Sequence, residues 1–136
     1  MLASVRLESR GGAFVELHMT HGEVDGIVDA GDGRAWMFRA ACLTREEARL
    51  LGDWLLRVAK GRVELHERLT FAAPELSFAY DEHEYGQPRI TVGFSRAAAP
   101  AWLGDEQHRT FDYPLTLDLT PESLESAAVD WEREVH

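Results

Sequence analysis

Leu76-Ser77-Phe78-Ala79-Tyr80 and Ile90-Thr91-Val92-Gly93-Phe94 each place an apolar side chain at every second position. Successive side chains on a strand point to opposite faces, so this period puts Leu76, Phe78 and Tyr80 with Ile90, Val92 and Phe94 on one buried face. The intervening Asp81-Glu82-His83-Glu84 and Gly86-Gln87-Pro88 are polar and turn-forming, which predicts an antiparallel hairpin. The alternation returns in Phe111-Asp112-Tyr113-Pro114-Leu115-Thr116-Leu117. Proline donates no backbone hydrogen bond, so that strand belongs at a sheet edge or carries a bulge at Pro114. Val63, Leu65 and Leu69 give a weaker version of the pattern.

Upstream, Val5 with Leu7, Val15 to Met19, Val24 to Val28 and Ala35 to Ala40 read as four further strands. Gly11-Gly12, His21-Gly22 and Gly31-Asp32-Gly33 separate them as hairpin turns. Two helices stand out. Thr44 followed by Glu47 forms a capping box, and Leu51, Trp54, Leu55 and Val58 then recur on one helical face. Arg57 and Lys60 suit the negative end of the helix dipole, and Gly61 ends the helix. Thr120-Pro121 opens the second helix, with Leu124, Ala128, Trp131 and Val135 as its apolar stripe. The expected class is α+β, an antiparallel sheet of about seven to eight strands with helices at about 44–60 and 120–135. Residues 1–136 are expected to form one domain, with Ala97-Ala98-Ala99-Pro100 a loop inside it.

Apolar residues make up 45% of the 136, ordinary for a globular chain. No apolar run approaches the roughly 18 residues that would cross a membrane as a helix. The charged stretch Met1 to Arg10 does not resemble a signal peptide, and the lone Cys42 cannot form an internal disulfide. The expectation is a cytoplasmic protein. The net charge of −10 is uneven: residues 1–60 carry 8 basic and 9 acidic side chains, residues 61–136 carry 6 and 15. Such a balance repels nucleic acid and anionic lipid and attracts basic protein surfaces. It also serves solubility alone.

Candidate chemistry is sparse. His18-x-x-His21 is the one close histidine pair, and positions i and i+3 of a strand face opposite ways unless a turn intervenes. Zinc would need two more ligands, so no metal or other cofactor is expected. His18, His21 and His83 remain the candidate working groups of an alternative small-molecule-binding domain or metal-dependent enzyme. Cys42 lies just before a capped helix, where a thiolate would be favoured, but a free cysteine is usually a small buried apolar group. Asp81-Glu82-His83-Glu84 could hold an acid and a base, or could be a solvated hairpin tip. No Gly-x-Ser-x-Gly elbow, P-loop or dinucleotide fingerprint is present, so no catalytic residue is assigned. Trp102, between Pro100 and Gly104, either plugs the end of the core or is presented to a partner. A third possibility is a module that oligomerises through the edge strand Phe111 to Leu119.

From about Trp36 to Val135 the order of features resembles the WapI-type immunity proteins, cytosolic bacterial proteins that neutralise the C-terminal domain of a contact-delivered toxin. The resemblance lies in the aromatic strand running through Cys42-Leu43 into Thr44-Arg45-Glu46-Glu47, in Pro74-Glu75-Leu76-Ser77-Phe78, and in Pro100-Ala101-Trp102-Leu103-Gly104. Phe111-Asp112-Tyr113-Pro114-Leu115 and a final acidic helix complete it. It implies a stoichiometric protein-binding function, with a toxin domain bearing a basic surface as partner and no enzymatic activity. Charge and expected exposure then single out the hairpin Asp81, Glu82, Glu84 and Tyr85 and the loop Trp102, Asp105 and Glu106 as the contact residues, aromatics anchoring and acids steering.

Overall fold

The computed structural model describes residues 2–82, 86–108 and 113–135, with the backbone alone at 2 and 105–108. The first four strands, β1 (Leu2–Glu8), β2 (Phe14–Thr20), β3 (Glu23–Asp29) and β4 (Ala35–Ala40), form an antiparallel meander in that order. Helix α1 (Arg45–Ala59) follows. A second antiparallel meander is built from β5 (Arg68–Thr70), β6 (Leu76–Glu82), β7 (Pro88–Phe94) and β8 (Tyr113–Asp118), and helix α2 (Pro121–Val135) closes the chain. The α+β class, the eight strands and both helices match the reading of the sequence. The strands divide into two sheets of four where the sequence suggested one. The cause is visible at Trp36 on β4: its ring meets Phe94 of β7 at 5.2 Å and Tyr113 of β8 at 5.5 Å, both edge to face. Ring-to-ring contact across a core needs facing layers, which strands laid side by side in one sheet do not provide.

In both sheets the register keeps the apolar phase on one side. Val5, Leu17 and Gly26 lie opposite one another, and Gly26 opposes Phe38. In the second sheet Phe78, Val92 and Leu115 align, as do Tyr80, Ile90 and Leu117. Pro114 lies in β8, an edge strand, where its missing donor is tolerated. Val63 and Leu65 precede β5 instead of belonging to it: the strand contains Leu69 alone of the three, and the left-handed His66 (φ 70°) breaks the extended pattern. Residues Phe111 and Asp112 lie outside the described residues.

The helices end where local chemistry dictates. The Thr44 hydroxyl accepts from the Glu47 amide at 3.1 Å, and the Glu47 carboxylate accepts from the Thr44 amide at 3.0 Å. Thr120 caps α2 by accepting from the Ser123 amide at 3.2 Å. The two helices then pack closely. A Cβ on Gly52 would come within 2.8 Å of the Trp131 ring, and the Trp131 indole donates to the Ala48 carbonyl at 2.7 Å. Near its end α2 reaches β1, where Glu134 accepts the Ser4 amide at 3.0 Å and so occupies a donor of that edge strand. The sheets are tied at another corner: the Arg10 amide donates to the Asp118 carbonyl at 3.0 Å, and the Asp118 amide to the Ser9 hydroxyl at 3.1 Å. Buried side chains of both sheets and both helices form a continuous apolar cluster.

Gly26 has no left-handed backbone, so its reason is space: the Phe38 ring lies across it, 2.0 Å from where a Cβ would stand. Gly26→Ala should therefore destabilise the fold by about 1–3 kcal/mol through overpacking. Adding Phe38→Leu should recover part of that loss, giving a favourable coupling in a denaturant-unfolding cycle.

Candidate partner-binding surfaces

The acidic hairpin lies at one end of the second sheet. On the outer face Asp81, Arg89 and Asp118 stand in one row. Arg89 donates to Asp118 at 2.7 Å, His66 lies 4.0 Å from Asp81, and Asp81 also accepts the Glu82 amide at 2.7 Å. Asp81 is thus partly engaged, while Glu82 is exposed. Glu84 and Tyr85, together with His83, lie outside the described residues.

The second predicted contact lies elsewhere. Trp102 belongs to the 3-10 segment Ala101–His108, which Gly104 breaks with a φ of 59°. One side of its ring packs edge to face on Trp36 at 5.4 Å and on Tyr113 at 6.2 Å. The residue nevertheless stays 49% exposed. Trp102 is therefore both a partial lid on the core and a presented aromatic. Asp105 and Glu106 continue the same backbone segment, and their side chains lie outside the described residues. Tyr113 pairs with Phe94 at one end of β7, whereas Arg89, beside Asp81, is at the other. Strand rise puts the two predicted contact regions about 20 Å apart.

The histidine pair does not converge. His18 lies on the outer face of β2, with Nε2 at 2.9 Å from the Glu16 carboxylate. That contact, followed by one from Arg6, holds the Glu16 carboxyl below its ordinary range. His21 forms the turn between β2 and β3, where His21 (φ 49°) and Gly22 (φ 88°) both take the left-handed conformation of a tight hairpin. Among the described residues no group of three His, Cys, Asp or Glu side chains is arranged to hold a metal ion. Cys42 is 1% exposed, and burial, with the negative charge of Glu75, pushes its thiol up to about 12.

A surface not anticipated from the sequence lies on the outer face of the first sheet. Phe14, Ile27 and Met37 project there from β2, β3 and β4, and Met37 is 77% exposed. Its signal was present in Ala35-Trp36-Met37-Phe38, which is apolar in both phases of the strand. Such a strand cannot bury both phases against one core. Around this stripe stand Glu8, Glu16, Glu23, Asp25 and Asp29 against Arg6 and Arg39, five carboxylates to two arginines, a net charge of −3.

The model of the immunity protein WapI-like family matches residues 5–136. The chain belongs to the immunity protein WapI-like family. The match extends to β1, β2 and β3, which the resemblance read from about Trp36 onward left out, so Phe14 and Ile27 as well as Met37 lie within the matched region. Neither curated proteins nor solved structures give a significant match to this WapI-like chain. An immunity family implies a toxin-neutralising role, and such families are generally non-enzymatic.

The Cys42 environment gives a test of its inertness. The folded thiol keeps its proton up to about 12, while an unfolded thiol loses it near 9.0. The unfolded chain therefore binds fewer protons across that window, and the Cys42 contribution to stability falls as pH rises from 9.0 towards 12. Cys42→Ala should lose less stability than the wild type between pH 8 and 10 in denaturant titrations. Native protein should resist a thiol reagent that labels it fully in guanidinium.

Proposed function

We propose that this WapI-like protein protects the bacterial cytoplasm by binding its cognate toxin domain one to one and occluding the toxin's active cleft. The family match over residues 5–136 carries this reading. The charge of the chain supports it: a net −10 is suited to a partner whose working surface is basic. The toxin's own chemistry does not enter, because occlusion needs only a surface that fits.

Two regions divide the work. The hairpin tip with Asp81 and Glu82, continued by Glu84 and Tyr85, steers the basic partner during approach. The loop with Trp102, continued by Asp105 and Glu106, supplies a half-exposed aromatic that loses its remaining water on docking. Their separation of about 20 Å along the sheet is within the span of a standard protein interface.

Co-expression with its cognate toxin domain should rescue growth. In stopped-flow mixing of the two purified proteins, Asp81→Lys with Glu82→Lys should slow association about tenfold at low salt and little at high salt, because steering is screened. Failure of rescue contradicts the toxin-neutralising function. Rescue with an unchanged association rate contradicts the role given to the hairpin.

A further inference from the structure

We propose that the outer face of the first sheet is the anchoring half of the toxin interface, and that it receives an apolar knob ringed by lysines or arginines on the toxin domain. The proposal rests on the toxin-neutralising reading above and names the surface that reading leaves open.

Three observations carry it. Phe14, Ile27 and Met37 form an apolar stripe across three strands, and Ile27 lies directly opposite Met37. Shallow depressions flank that pair, one bounded by His18, Asp25 and Arg39, the other by Phe14, Asp29 and Ala35. Met37 is exposed, Ile27 is half-buried beside it, and Phe14 is half-buried with the Arg6 guanidinium 3.8 Å over its ring, so the apolar centre is Met37 with Ile27 and the charged groups are its rim, an arrangement in which the centre desolvates and the rim shuts out water.

The rim selects the occupant. Arg39 is shared between Asp25 at 2.6 Å and Glu23 at 3.7 Å, and Arg6 between Glu8 at 2.9 Å and Glu16 at 3.4 Å. Asp29 accepts the Gly31 amide at 2.8 Å. Each arginine is thus divided between two carboxylates, and the surplus of negative charge is available to an incoming cation. A second copy of this chain would bring an identical net charge of −3 against the first, so self-association through this face is opposed. A basic rim on a different protein is attracted.

Trp102 packs on Trp36, whose side chain turns into the core while Met37, next to it in β4, turns out, so the indole caps the core and the stripe is a separate surface. Charge counted by halves of the chain concealed the acidity of this face. Residues 1–60 sum to −1 because the acidic face is offset by bases such as Arg10 and Lys60 outside it.

The test uses the intact protein and its purified cognate toxin domain, read by dissociation rate and by rescue of growth. Met37→Arg and Ile27→Thr alter solvent-facing side chains of the sheet, and circular dichroism with a thermal melt checks that each variant folds. Each should raise the dissociation rate about tenfold or more, with Met37→Arg also impairing rescue. Leu50→Lys, an exposed substitution on α1, should leave both readouts unchanged. If folded Met37→Arg and Ile27→Thr dissociate and rescue like the wild type, or if Leu50→Lys is equally damaging, the surface is wrong while the toxin reading stands. If the wild type neither binds nor rescues, the toxin reading fails and takes this surface with it. Sedimentation giving a dimer that Met37→Arg dissolves would assign the face to a second copy and overturn the proposal.

Discussion

The close approach of α2 to α1 at Gly52 governs how the rest of the molecule is arranged. No side chain at that position would let the Trp131 ring lie where it does, with its indole on the Ala48 carbonyl. Once seated there, α2 runs back to the start of the chain and places Glu134 on the Ser4 amide. The last helix is thereby committed to α1 on one side and to the edge of β1 on the other. Trp54 ties α1 to the second sheet, its indole donating to Glu67 at 3.0 Å and its ring lying 6.3 Å from Phe78. Both helices are spent on the core and on one sheet edge. The outer face of the first sheet keeps an apolar stripe with Met37 turned to solvent.

The distribution of charge acquires meaning only in three dimensions. In the linear chain the acidity belongs to residues after 60. In the fold, a second acidic surface comes from the nearly neutral first part, because strand alternation sends Glu16, Asp25 and Asp29 to the same side while neighbouring apolar residues turn inward. The two acidic regions have different neighbours. The hairpin tip has a flanking row in which Arg89 is bound to Asp118, whereas the face of the first sheet surrounds apolar side chains. Charge around an apolar centre suits residence of a partner, and exposed charge away from such a centre, as at Glu82, suits its capture.

Much of the fold was legible from the sequence because it is decided locally. The Thr44–Glu47 box, the Thr120-Pro121 start and the period-2 runs are each satisfied within a few residues, and each appears where the pattern places it. The split into two sheets was not legible. It depends on Trp36 meeting Phe94 and Tyr113, contacts between residues more than fifty positions apart. The two candidate contact regions could be named from composition, but their separation depends on the register of β7 with β6 and β8. The stripe of Phe14, Ile27 and Met37 was hidden for a related reason: each residue alone reads as core, and only the register brings the three onto the uncovered side.

Binding by occlusion has a stoichiometric signature that other modes of protection lack. The direct measurement is a titration of toxin-domain activity at a concentration far above the dissociation constant, with this protein added in fractions of an equivalent. Occlusion at one to one predicts a linear fall in activity that ends at one equivalent. Complete inactivation by a small fraction of an equivalent would mean catalytic destruction of the toxin, and full activity in the presence of excess protein would mean no neutralisation. Either result would contradict it.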